Sequence, residues 1–545
     1  MGEVEISSSE SRRLKIGSNL VTGAAFAILL LIGVALAFTH PRYQITVLVG
    51  DDAGYYMAIA RNYSLGYGYS FDRIGTTNGF NPLMPALLIG FYRVFAPNLE
   101  IITCFRIGTL ITWLALVAGV FPFRHLVRRV LRTYEFPKAW LELAVASATF
   151  AYAGFIALKG YYGMDAFLVL GLVLIWMGRV SRGGLLSPGV TNAVVDGILL
   201  GAVVLARVDS LPLIAVAFAL MLVRAAGGRG TLSGLLIRAA AFAVFVVPYF
   251  LWNHANFGDW LPISARLKTA FPHLDVSSSL NVVLHTSLNK PDQLLLFGAL
   301  VAALVWCFSS MNQVWRAVPV ACGANARDAM LVWASYLVIR LTWLLLFSRF
   351  DVQSSYFILA GPFFFVAVLV GIGRWRPQMG AALACGAMIA TTILLIGGKL
   401  AVAVPQLRAV AAGDADNGWE LARKIHNVVR ADEIIFGGSQ GLLGFIADRS
   451  WINGDGVANN SEFQRAKMSG KLAEYLECHQ VTFVEIDINQ GRSLPLEYVS
   501  YEKVLSGYQI GRHQTVTLVR LPDTGRSEAS VSDACLAIRG VTPDN

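Results

Sequence analysis

The chain is poor in charge. Asp, Glu, Lys and Arg make up 14% of its 545 residues, against about 25% in soluble domains. Hydrophobic residues make up 55%. That balance excludes an ordinary soluble domain and predicts a polytopic α-helical membrane protein. Metal-thiolate chemistry is also poorly provided for. The six cysteines form no Cys-x-x-Cys pair and no Cys/His cluster, and no two of the histidines stand at metal-ligand spacing. The glycine turn at 437–441 lacks the full G-x-G-x-x-G pattern, so it reads as a turn and not as a dinucleotide loop. There is no internal repeat, no low-complexity tract and no evident cleavable signal peptide.

What is present is a series of apolar runs separated by basic loops. A net charge of +9 would point to nucleic acid in a soluble protein. Here the cations fall in short loops between apolar runs, the pattern that orients helices in a bilayer, so no nucleic-acid partner is expected. Residues 1–18 read as a polar, basic cytoplasmic tail. Arg12, Arg13 and Lys15 precede the run 19–38, which reads as a signal anchor. Further runs at 101–121, 139–158, 166–178, 193–206, 210–223, 239–254, 294–308, 329–347, 356–372 and 379–400 bring the expected total to about eleven spans. The apolar piece 80–95 is short for a crossing. Were it to cross, the cluster Arg124, Arg128, Arg129, Arg132 and Lys138 would lie outside, so it is expected to be juxtamembrane or re-entrant.

This topology divides the chain into the tail, a transmembrane domain over 19–403 whose first outer loop is 39–98, and a C-terminal extracytoplasmic domain over 404–545. It places Asp51, Asp52, Asp165, Asp209, Asp259 and Asp351 together on the outer side, and acids gathered at one end of a bundle point to a shared polar cavity. Past residue 404 the pattern changes. Helices are expected at 419–429, 442–447 and 463–477, and strands at 433–436, 450–453, 481–486 and 515–521, which make a small α/β domain. Cys104, Cys307 and Cys385 lie in apolar runs as packing residues, Cys322 falls in a loop, and Cys478 and Cys535 are placed to form a disulfide if their domain is extracytoplasmic.

The stretch Asp51-Asp52-Ala-Gly-Tyr55-Tyr56 follows the first span. Gly66-Tyr-Gly-Tyr-Ser-Phe-Asp and Thr77-Asn78-Gly-Phe-Asn-Pro-Leu come next. This series resembles the first extracytoplasmic loop of GT-C glycosyltransferases, integral-membrane enzymes that use lipid-linked sugars. The resemblance continues at Gly163-Met-Asp165, where many members have Glu as the third residue, at Ala206-Arg207-Val-Asp209, at Pro248-Tyr249, and from Asn256-Phe-Gly258 to Lys268. The C-terminal Gly437-Gly-Ser-Gln-Gly-Leu-Leu-Gly and Asn453-Gly-Asp-Gly-Val-Ala-Asn resemble the soluble tail of the branch that includes mycobacterial-type arabinofuranosyltransferases.

The resemblance implies transfer of a hexosyl or pentosyl group from a polyprenyl-phosphate donor to an acceptor hydroxyl on a glycan, lipid or protein, at the outer face of a cytoplasmic (inner) membrane and among its lipids. A carboxylate takes the hydroxyl proton, cations stabilise the departing phosphate, and inversion is the simple outcome. Catalytic candidates are Asp51, Asp52 and Asp165. Asp51 is preferred as base because a tyrosine, Tyr55, lies four residues on. Substrate-binding candidates are Tyr55, Asn78, Arg207, Asp209, Arg266, Lys268 and Arg349. No cofactor is fixed; members of the family differ in their use of a divalent metal. Plainer roles compete: helix N-caps for Asp51 and Asp165, an internal ion pair for Arg207 and Asp209, solvated loop charges for Arg266, Lys268 and Arg349, and interface aromatics for Tyr161, Tyr162 and Trp260. The competing functions are a transporter or flippase of a lipid-linked saccharide and a non-catalytic membrane scaffold.

Overall fold

The computed structural model describes residues 8–133, 136–228, 230–274, 276–277, 279–281, 324–349, 354–375, 377–413, 418–438, 440–487, 502–510, 514–521 and 528–539. Among them, eight helices are long and apolar enough to cross a membrane, and three shorter apolar helices accompany them. The chain is a multi-pass membrane protein. The bundle contains α1 (Ser8–Phe38), α5 (Ile101–Thr133), α6 (Lys138–Ala151), α7 (Asp165–Gly183), α8 (Val190–Ala206), α9 (Leu211–Ala226) and α10 (Leu232–Phe257). Ala324–Phe347 (α12), Ala360–Trp375 (α13) and Pro377–Ala412 (α14) complete its described part. The expected span 294–308, Cys307, Cys322 and Asp351 lie outside the described residues.

Three short helices sit at the end of the bundle where the candidate loop lies: α2 (Pro41–Val47), α3 (Asp52–Ser64) and α4 (Leu83–Phe95). The ambiguous apolar piece is α4. At 13 residues it spans about 20 Å, less than the ~30 Å hydrocarbon core. Two boundaries differ from the sequence reading. Helix α1 begins at Ser8, so Arg12, Arg13 and Lys15 lie in its first turns and not in an irregular tail. Helix α14 runs unbroken to Ala412, past the composition change near residue 404.

The C-terminal part is an α/β unit built on a five-stranded sheet, order β2-β1-β3-β5-β4. Strands β1 (Ile434–Gly437), β2 (Ser450–Asn453) and β3 (Phe483–Asp487) are parallel, and β4 (Glu502–Ile510) and β5 (Gln514–Arg520) add an antiparallel edge. The sequence pattern did not indicate β4. It is an edge strand whose register slips at Lys503/Leu505 and at Leu505/Tyr508, so its residues do not keep the period-two alternation that marks a strand. The helix expected at 463–477 is two, α17 (Ser461–Met468) and α18 (Leu472–Cys478), split at Gly470 with φ +73°, a conformation glycine adopts without strain. A last helix, α19 (Glu528–Arg539), is tied to α18 by the Cys478–Cys535 disulfide.

The sheet domain does not stand apart. Helices α15 (Gly418–Val428) and α16 (Gly441–Ala447) rest on the bundle end, and one apolar core runs through both. Trp419 of α15 meets His40 and Phe105 edge-on, with ring centroids 5.0 and 6.4 Å away.

Candidate active site

Helix α3 organises the site. Residues four apart on a helix share a face, so α3 carries two Asp/Tyr pairs on neighbouring stripes, Asp51 with Tyr55 and Asp52 with Tyr56. The two stripes meet different surroundings.

The Asp51/Tyr55 stripe faces the C-terminal domain. Asp51 precedes α3, yet its side chain makes no capping bond to that helix. It caps α16 instead: Oδ2 accepts from the Gly441 N–H and Oδ1 from the Leu442 N–H, each at 2.9 Å. The approach requires glycine. A Cβ on Gly54 would stand 2.1 Å from the Gly441 carbonyl carbon, and one on Gly441 would stand 2.5 Å from the Asp51 carbonyl oxygen. Burial pushes the Asp51 carboxyl up to about 7, against the pull of those two amides. The Tyr55 hydroxyl accepts from Asn453 Nδ2 at 2.8 Å. The last turn of α3 and the loop after it bind the same domain: Thr77 Oγ1 donates to the Asn459 carbonyl at 2.8 Å, and Arg61 of α3 and Arg73 of the loop both pair with Asp448.

The Asp52/Tyr56 stripe faces the bundle. Among the described residues the Asp52 carboxylate makes no hydrogen bond, and it is only partly buried. Burial raises its pKa; Lys268 pulls it back, with Asp165 and Asp455 acting with the burial. The Tyr56 hydroxyl donates to Asp165 Oδ2 at 2.8 Å, and Asn81 Nδ2 donates to the same oxygen at 2.5 Å. Arg207 Nη1 stands 3.9 Å from Asp165 Oδ1. Asp165 is the first residue of α7, whose N-cap is Met164.

Behind Asp165 lies a buried cation cluster. Arg207 follows α8 in an extended conformation and grips Asp209 with two bonds, at 3.2 and 3.0 Å. Arg340 of α12 reaches the same carboxylate at 2.5 Å. The Tyr356 ring has Arg207, Arg340 and Lys268 at 5.3, 5.5 and 5.6 Å from its centroid, within cation–π range. Lys268 ends α11 (Ile263–Lys268), and burial works against its charge, but Tyr356 and Asp52 hold its pKa above the ordinary value. Its backbone is anchored by an Arg349 N–H donating to the Lys268 carbonyl at 3.2 Å.

The candidates of the sequence reading therefore separate. Asp51, Asp52, Asp165, Tyr55, Arg207, Asp209 and Lys268 surround α3 and the polar region beside it. Asn78 is buried and joins two backbone segments, donating to Asn253 Oδ1 at 3.3 Å and accepting from the Ile263 N–H at 3.2 Å. Arg266 pairs with Asp259, its side chain 66% exposed, and Arg349 is exposed. Tyr162 is buried with its hydroxyl on the Ala157 carbonyl, and Trp260 stacks on His254 at 4.4 Å. The sequence reading passed over Arg340, Tyr356 and Asp455. Arg340 had a signal, since an arginine inside an apolar span is a functional candidate on cost alone. Tyr356 had none. Among the described residues no group of three or more His, Cys, Asp or Glu is placed to hold a metal ion.

The fold is of the GT-C kind. The structure of ArnT from Cupriavidus metallidurans bound to undecaprenyl phosphate is similar at TM-score 0.55, over 92% of this chain and 99% of that one, with 13% identity. An oligosaccharyltransferase of Archaeoglobus fulgidus solved with Zn and sulfate covers 85% of this chain and 68% of its own at TM-score 0.45 and 15% identity. AglB of the same organism, solved with an inhibitory peptide and a dolichol-phosphate, gives 85% and 69%, 0.44 and 14%. No protein-family model matches the chain, and no curated protein sequence does.

Proposed function

We propose that this GT-C-fold membrane protein is a glycosyltransferase that uses a polyprenyl-phosphate sugar, with Asp52 as its general base. The observation that carries the reading is a carboxylate with no hydrogen bond among the described residues, on the α3 stripe shared with Tyr56 and within electrostatic reach of Lys268 and Arg207. A proton acceptor and a set of cations suited to a phosphate then border one polar region. ArnT, which shares the fold, was solved with undecaprenyl phosphate, and a lipid of that class fits the cation cluster here.

In the proposed reaction the acceptor hydroxyl attacks the anomeric carbon while Asp52 takes its proton. The bond from that carbon to the phosphate oxygen breaks, and its electron pair leaves with the polyprenyl phosphate. Lys268, Arg207 and Arg340 stabilise the charge that develops there, and guanidinium groups suit a phosphate bidentately. One base and direct displacement invert the anomeric configuration. Asp165 is a positioning residue: it fixes Tyr56, Asn81 and the approach of Arg207. Asp209 holds the two arginines at one spacing. Asp51 and Tyr55 are assigned to docking the C-terminal domain.

The reaction side is proposed to be extracytoplasmic. Arg179 and Arg182 lie at the end of α7 remote from Asp165, as the positive-inside rule requires of a cytoplasmic end. The Cys478–Cys535 disulfide suits an oxidising compartment. The test is purified enzyme incubated with a panel of hexosyl and pentosyl polyprenyl phosphates, scoring release of polyprenyl phosphate. Wild type is expected to consume at least one donor, and Asp52→Asn to do so at least about a hundredfold more slowly. Turnover by Asp52→Asn near the wild-type rate would remove Asp52 from the role. Movement of intact donor across a vesicle with no release would make the protein a flippase.

A further inference from the structure

A second polar site lies at the other end of the bundle. Lys15 of α1 is 23 residues from Phe38 at the far end of that helix, a distance of about 35 Å. There α1, α5 and α6 border an open cleft of about 710 Å³. Four cations line it, Lys15, Arg124, Arg128 and Arg132, against a single carboxylate, Glu142. That carboxylate is engaged: Arg128 Nη2 reaches Glu142 Oε2 at 2.6 Å. Among the described residues the one hydrogen-bond partner of Arg124 is a hydroxyl, Thr22 Oγ1, at 3.3 Å. The remaining wall is polar or small, and positive charge is left in surplus around an open space of headgroup size.

The helix surface beside the cavity is apolar and uncovered. Leu20 follows the lining residue Asn19 and is 69% exposed; Phe121, one turn before Arg124, is 62% exposed. Both side chains stand on helices long and apolar enough to cross the membrane, close in sequence to the cavity's cations, so the cavity opens where lipid headgroups meet acyl chains. A phospholipid would place its phosphate among the arginines and lay its acyl chains along Leu20 and Phe121. We infer that the α1/α5/α6 cavity is a binding site for the headgroup of an anionic phospholipid in the leaflet opposite the candidate active site. The site uses none of the residues assigned to transfer, so it stands or falls independently of the proposed function.

The experiment is a native mass-spectrometric titration of the full chain in detergent, with dioleoyl-phosphatidylglycerol and dioleoyl-phosphatidylcholine as probes. Wild type is expected to bind the first more tightly. Arg124→Gln with Arg132→Gln should weaken phosphatidylglycerol by about thirtyfold, since each cation near a lipid surface contributes on the order of a fivefold effect, and should leave phosphatidylcholine unchanged. Should that double variant fail to fold, Lys15→Gln, on an exposed side chain, is expected to weaken phosphatidylglycerol about fivefold. Glu142→Gln should strengthen it, because Arg128 is released. Glycerol phosphate at millimolar concentration should not displace the lipid. Equal affinity for the two lipids, a preference untouched by the arginine and lysine variants, or displacement by glycerol phosphate would each overturn the assignment.

Discussion

The two stripes of α3 carry the same residues at the same spacing and do different things. On one, Asp51 and Tyr55 are taken up by Gly441, Leu442 and Asn453 of the C-terminal domain. On the other, Tyr56 is held by Asp165 while Asp52 has no hydrogen-bond partner among the described residues and faces Lys268. A rotation of about 100° between successive residues separates a docking group from a candidate base. A carboxylate with both oxygens held by amides is well placed but engaged, whereas one without a hydrogen bond among the described residues has its oxygens free to accept a proton.

The largest effect expected from that contrast is on turnover. Asp52→Asn should lower kcat by roughly 10²–10⁴-fold, the usual worth of a positioned general base, with donor KM and melting temperature unchanged. Asp51→Asn should lose far less, because asparagine keeps one of the two amide contacts and the change falls on the docking of α16, away from the proposed base. A greater loss from Asp51→Asn would reverse the assignment. The same face predicts a pH profile. A base acts only when deprotonated, and burial lifts Asp52 above the ordinary carboxylate value of 3.8. The acid limb of kcat/KM should therefore fall at a pH above that value, and Asp52→Glu should move it.

A smaller effect is expected behind the Asp52 stripe. Asp209→Asn leaves Arg207 and Arg340 facing each other without their shared carboxylate, a change worth on the order of 3 kcal/mol in a buried pair. Thermal denaturation should show the loss, and added polyprenyl phosphate should restore part of it if the arginines bind the phosphate. Absence of rescue would count against the donor site. The smallest effect belongs to the Asp51 stripe. Asp51→Ala removes the α16 cap at a cost of about 1 kcal/mol, which should appear as faster amide exchange confined to α16 and the strands beside it. An effect spread over the bundle would show that the two stripes are not separable.

Much of the fold was legible in the chain. The apolar runs fall on all eight described helices long enough to span, because burial in lipid demands long apolar helices, while the expected spans 193–206 and 356–372 fall on the shorter helices α8 and α13. The position of the cations kept α4 out of the span count. Within the sheet, β1, β2, β3 and β5 announced themselves by short apolar runs, while β4 did not, since its pairing is irregular. The site was legible in part. The motif from Asp51 to Asn81 marked the loop that the proposed site is built on, and Arg207, Asp209 and Lys268 were named with it. Tyr356 gave no sign, for a tyrosine at the end of an apolar run has many uses. The preference for Asp51 rested on Tyr55 four residues on, and Asp52 with Tyr56 has the same spacing, so the proposed base moves to Asp52 on the surroundings of the two stripes.

By itself, then, the sequence determined which segments are helical and apolar, where the cations fall between them, and that two acids open the first loop. Those properties follow from hydropathy, periodicity and charge, which act over a few turns of chain. Only the tertiary structure decided which acid is engaged. That depends on Gly441, about 390 residues from Asp51 in the chain, arriving close enough for backbone to touch backbone at Gly54. Such a contact is a matter of packing between distant segments, and no local pattern in the sequence encodes it.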